Sequence, residues 1–84
     1  MKIIYTKHSL NKFLLFKSRG FAISKTFVDR TVRQPENIDI ETDKPKFIVS
    51  GKLDRKHVLR VVYVREDDII RIITFYPAEK GRYY

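Results

Sequence analysis

Residues 57–65 and 69–76 form two runs so rich in Val, Ile and Tyr that paired β-strands are what they fit best. Only Glu66, Asp67 and Asp68 separate them, so the pair reads as a β-hairpin with an acidic, solvated tip. The tip lacks the Asn-Gly signal that would fix loop length, so the register stays open. Register matters for chemistry here, because a one-residue slip turns every side chain to the other face. An even loop places Arg71 on the face of Arg60; an odd loop places Thr74 and Tyr76 there instead. Pro77 is expected to end the second strand.

Upstream the pattern changes. Ile3, Ile4 and Tyr5 suggest a short first strand, and Thr6 is suited to cap a helix over residues 7–19. In that helix Leu10, Phe13 and Leu14 make an i, i+3, i+4 apolar stripe, and Gly20 fits the position that terminates it. Ser24 is the next cap, with Ile23 and Val28 spaced as a hydrophobic staple. This second helix should run to about Arg33, short of Pro35, with Val28 and Val32 facing inward. Residues 38–41 alternate as a half-buried strand does, and residues 47–50 form another short run. Helices first and strands after point to an α+β fold. Two N-terminal helices should pack on one face of a mainly antiparallel sheet of four or five strands.

Length agrees with that plan. Eighty-four residues make one domain, with room for one sheet and one helical layer. The absence of cysteine excludes a disulfide scaffold, a thiolate zinc site and a Cys nucleophile. No apolar run approaches the ~20 residues of a membrane span, and the apolar stretch at the N-terminus is too short for a signal peptide. A cytoplasmic protein with no membrane partner is the expectation.

Charge is the most functional statistic. Eighteen Lys and Arg oppose ten Asp and Glu, a net of +8. Residues 1–33 hold eight basic residues and one acid, Asp29, a net of +7. A small domain this positive attracts polyanions, because each neutralised phosphate releases condensed counterions. Lys7, Lys12 and Arg19 are the candidates in this segment.

No phosphate-binding glycine loop and no HExxH is present, and His8 and His57 lack carboxylates at an obvious metal-binding spacing. No cofactor is implied. The remaining Arg, Lys, His and Tyr residues are the types that cleave RNA without a metal: a base for the 2′-hydroxyl, a cation for the phosphorane, an acid for the leaving oxygen. Arg60 stands out, since its neighbours Val58, Leu59, Val61 and Val62 are all apolar. It must snorkel out, face a polar pocket, or pair structurally with a carboxylate such as Asp54 or Glu41. His8 opens the first helix, where the positive end of the helix dipole favours a neutral imidazole base. Lys80, Arg82, Tyr83 and Tyr84 form a basic-aromatic tail suited to phosphate contact and base stacking.

The segment His57-Val58-Leu59-Arg60-Val61-Val62-Tyr63, its acidic turn and the Ile-rich run after it resemble the C-terminal hairpin of the RelE/ParE-like toxin superfamily. Tyr5-Thr6-Lys7-His8-Ser9, Arg19-Gly20 and Pro35 are also similar to the small DUF4258 family, related to the BrnT toxins. The resemblance implies a RelE-like fold and a metal-independent endoribonuclease, an mRNA interferase of a toxin–antitoxin system. It would act on RNA, often ribosome-bound mRNA, and be restrained by an acidic antitoxin protein. Carried over by position, Arg60 is the arginine at the scissile phosphate, Arg82 the C-terminal arginine, and Tyr83 or Tyr84 the terminal tyrosine. Lys52 lies in the basic stretch before the central strand, and His8 is the histidine at the first helix. Members of the ParE type inhibit gyrase and cut nothing. A non-catalytic module binding RNA, DNA or protein on the same scaffold is therefore the alternative.

Overall fold

Two capping hydroxyls set where the helices begin. The structure, a computed structural model, describes residues 1–81. After strand β1 (Lys2–Tyr5), the Thr6 side chain accepts the Ser9 N–H at 3.1 Å and starts α1 (Lys7–Ser18). Arg19 closes that helix and Gly20 follows at φ +88°, a left-handed conformation that glycine adopts without steric cost. Ser24 accepts the Phe27 N–H at 3.1 Å and starts α2 (Lys25–Arg33). Ile23, Val28 and Val32 are buried, as the staple spacing requires.

The inward face of α1 differs from the Leu10–Phe13–Leu14 stripe. Leu10 is 42% and Leu14 74% exposed, whereas Ser9 and Phe16 are buried and Phe13 packs against the core. Positions 9, 13 and 16 share a helical stripe, and the anchor that selects it is aromatic: the Phe13 and Phe16 rings lie 4.7 and 6.1 Å from that of Phe75. Ser9 is small enough for close approach, and its hydroxyl donates to the Thr6 carbonyl at 2.8 Å. The leucines are left outside.

The remaining strands are β2 (Asn37–Asp39), β3 (Phe47–Lys52), β4 (His57–Glu66) and β5 (Ile69–Glu79). They form one five-stranded mixed sheet in the order β1-β5-β4-β3-β2. All pairings are antiparallel except β1 with β5. Both helices pack on one face, α1 over β5 and β1, α2 mainly over β3 and β4. The fold is α+β, as the sequence pattern requires.

Two boundaries differ from the sequence reading. The strand expected at 38–41 ends at Asp39, and Ile38 and Ile40 are 57% and 49% exposed. It is the outermost strand, beyond the main footprint of α2, so its alternation finds nothing to bury against. β5 does not stop at Pro77 but continues to Glu79, because β1 pairs with it only as far as Ile72. Past that point β5 is an edge strand, where a residue without an N–H is tolerated.

The hairpin loop has two residues, Asp67 and Asp68, with Asp67 at φ 55°. An even loop places Arg71 on the Arg60 face, opposite Val64. A β-bulge then leaves Ile73 without a partner and shifts the register between Val62 and Tyr63. Thr74 and Tyr76 therefore return to the Arg60 face as well. Both alternatives of the parity argument hold in one strand.

Candidate functional site

Alternation along the strands divides the sheet. Val49, Leu59, Val61, Tyr63, Ile72 and Phe75 point into the helical layer. Arg60 points the other way, onto the open face, with Ser50 of β3 and Tyr76 of β5 as its lateral neighbours. Its Nε donates to the Tyr76 hydroxyl at 2.9 Å, and its guanidinium carbon lies 5.8 Å from the Tyr76 ring centre. The floor around this row is aliphatic and buried: Ile48, Val58, Val62 and Ala78. Such a floor restrains the arginine's stem while leaving its head group in a polar row.

The two carboxylates considered as structural partners for Arg60 both have contacts of their own. Glu41 pairs with Lys44 at 3.3 Å, and Asp54 bonds the residues after it. Asp39, on the same face, feels the Arg60 charge. Its carboxyl is held below the usual aspartate range, first by the Thr42 hydroxyl, then by the Thr42 and Glu41 N–H groups, and least by the Arg60 charge.

The candidate residues fall into three groups. Lys52 lies two positions along β3 from Ser50, and so on the open face with Arg60. Lys7, His8 and Lys12 belong to α1, across the sheet from Arg60, and are not brought to it. Lys12 instead sets its Nζ 5.6 Å from the Phe16 ring centre. Lys80 follows the end of β5, where its N–H bonds the Lys56 carbonyl at 2.8 Å. Arg82, Tyr83 and Tyr84 lie outside the described residues.

Arg19 has a different setting. With Phe16, Phe21, His57, Tyr76 and Glu79 it lines a cleft of about 340 Å³. The cleft lies along the free edge of β5, so Tyr76 joins it to the Arg60 row. His57 was set aside as a metal ligand for want of a carboxylate, yet it has one. Its Nδ1 is 2.9 Å from Asp54 Oδ1, which also accepts the Lys56 and His57 N–H groups at 2.8 Å. These contacts, the Lys56 N–H foremost, hold the Asp54 carboxyl below its usual range. On the other side the Phe21 ring meets the imidazole edge-on, at 5.0 Å and 86°. The signal was present in the sequence as Asp-x-x-His at a strand start, the spacing of an Asx turn.

Compared with known proteins, the chain matches no family model, no curated protein and no solved structure.

Proposed function

We propose that this chain is a toxin-type endoribonuclease that binds RNA on the open face of its sheet and works without a metal. The observation that carries this reading is Arg60. A half-buried guanidinium stands in the middle of the sheet face that carries no helix among the described residues, its Nε fixed by Tyr76, with Lys52 on the same face. Fixed cations of this kind suit a phosphate whose charge grows in the transition state, because no reorganisation is needed at the moment of reaction. The net charge of +8 supports capture of a polyanion beforehand.

An acidic antitoxin is the partner this reading calls for. In favour of a protein partner is the ridge that α1 leaves outside. Leu14 borders a groove with Phe13, Phe21, Ala22 and Lys17, an apolar strip beside a positive charge. The non-catalytic alternative, a module that binds RNA, DNA or protein, uses the same surface and cuts nothing.

The test pairs cleavage with stability. Arg60→Ala should lower RNA cleavage by about 10²–10³-fold, abolish growth inhibition on induced expression, and leave the melting temperature close to that of the wild type. RNA binding by the wild type should weaken steeply as salt rises. An Arg60→Ala protein that melts early and cuts RNA normally would give Arg60 a structural role, since stripping a buried charge of its partner costs about 3–5 kcal/mol. A wild type that binds RNA but leaves it whole, with and without ribosomes, would establish the binding module instead.

A further inference from the structure

We infer that the cleft at the free edge of β5 is a nucleotide subsite in which His57 is the proton-transfer group, positioned by Asp54. The inference rests on the ribonuclease reading above and places a proton-transfer group on the helical side of the sheet, across the β5 edge from Arg60.

The imidazole is set up for one task. An ionised carboxylate only accepts hydrogen bonds, so the Nδ1 edge next to Asp54 must carry the proton. That fixes the tautomer and leaves Nε2 as the ring's acceptor. Asp54 is not among the residues that line this cleft, whereas His57 is, and the carboxylate holds the ring by its Nδ1 edge. Phe21 restrains the ring from a second direction. A base whose orienting group and rotamer are both fixed is the arrangement that general base catalysis needs.

The walls suit a nucleotide. Phe16 and Phe21 supply aromatic surface, and Arg19 supplies a guanidinium that has no ion-pair partner among the described residues. Base stacking and phosphate contact are the two chemistries by which single-stranded RNA is held. Tyr76, whose hydroxyl accepts from Arg60, closes the wall nearest the open face. A strand crossing the β5 edge would therefore pass from the Arg60 row into the cleft.

The step balances without any further reagent. Nε2 takes the ribose 2′-hydroxyl proton, the 2′-oxygen bonds to phosphorus, and the bond from phosphorus to the 5′-oxygen breaks. The departing oxygen takes a proton from water, and the imidazolium returns its proton to the hydroxide left behind. The products are a 2′,3′-cyclic phosphate and a 5′-hydroxyl.

The experiment measures cleavage of a short oligoribonucleotide against pH, RNA affinity, and melting temperature for the wild type, His57→Ala and Asp54→Asn. His57→Ala should lose about 10²–10⁴ in rate, keep its RNA affinity within about twofold, and recover part of its rate when free imidazole is added. Asp54→Asn should move the pH profile while remaining folded. A His57→Ala enzyme that cuts like wild type, or a folded one that imidazole does not rescue, overturns the inference and leaves the ribonuclease reading standing. A wild type that never cuts RNA overturns the ribonuclease reading and the proton-transfer role with it. Titration with uridine 3′-monophosphate then decides the cleft on its own: shifted resonances of Phe21 and His57 support a nucleotide site, and unmoved ones overturn it.

Discussion

The two faces of the sheet are built from the same strands and do opposite things. On the face toward the helices, Phe75, Leu59, Ile72 and Val61 are fully buried and meet Phe16, Val28 and Val32. On the other, Ser50, Arg60 and Tyr76 line up across three strands in a polar row. The contrast shows how 84 residues build a core and still leave a polar row across the same strands. Period-two alternation gives each strand one side packed on the helices and one side free to carry polar groups. The bulge at Ile73 keeps Phe75 in the core while turning Tyr76 toward Arg60.

The hardest blow to this contrast would come from Phe75. Phe75→Ala should cost about 3–5 kcal/mol in urea unfolding, since the ring is fully buried against Phe13 and Phe16. A cost no greater than that of Arg60→Ala would show that the covered face does not dominate stability. Leu14→Ala sharpens the same division within α1. With 74% of Leu14 exposed, the change should stay within about 0.5 kcal/mol. Phe16→Ala in the same assay should be markedly worse, and equal losses would restore the leucine stripe as the inward one.

The smallest effect is one of pH. The folded carboxyls of Asp39 and Asp54 are depressed, so their contribution to stability is present above the ordinary aspartate value of 3.8 and is lost as pH falls through the lower folded values. Acid should loosen the turns at residues 39–42 and 54–57 before it reaches the helix-covered core. Amide exchange at Thr42 and Lys56, followed from pH 5 to about pH 2, should accelerate ahead of that at Val61. Simultaneous acceleration at all three would erase the distinction between the regions.

What the sequence reveals follows the same boundary. α2 is legible because Ser24, Ile23, Val28 and Val32 are all local signals that agree with the packing. α1 is not, because it carries apolar residues on more than one side and its inward face includes a serine. Only Phe75, 59 residues beyond Phe16 in the chain, decides which side faces in. The bulge is silent for a similar reason: Ile73 is β-branched and ordinary in a strand, with no glycine to mark it. At the site, Arg60 announced itself as a charge among aliphatic neighbours. His57 and Asp54 are marked only by their Asp-x-x-His spacing, which becomes a partnership once the chain turns between them.

Pro77 bears on how the protein behaves in concentrated solution. Among the described residues no strand covers β5 beyond Ile72, so its backbone there is a template onto which a second chain could zip. A ring in place of an N–H near the middle of that stretch breaks the template, and Glu79 and Lys80 place charges at its end. The molecule thereby keeps a strand rim exposed without offering copies of itself a continuous ladder. Colloidal stability and an accessible cleft are served by one imino acid.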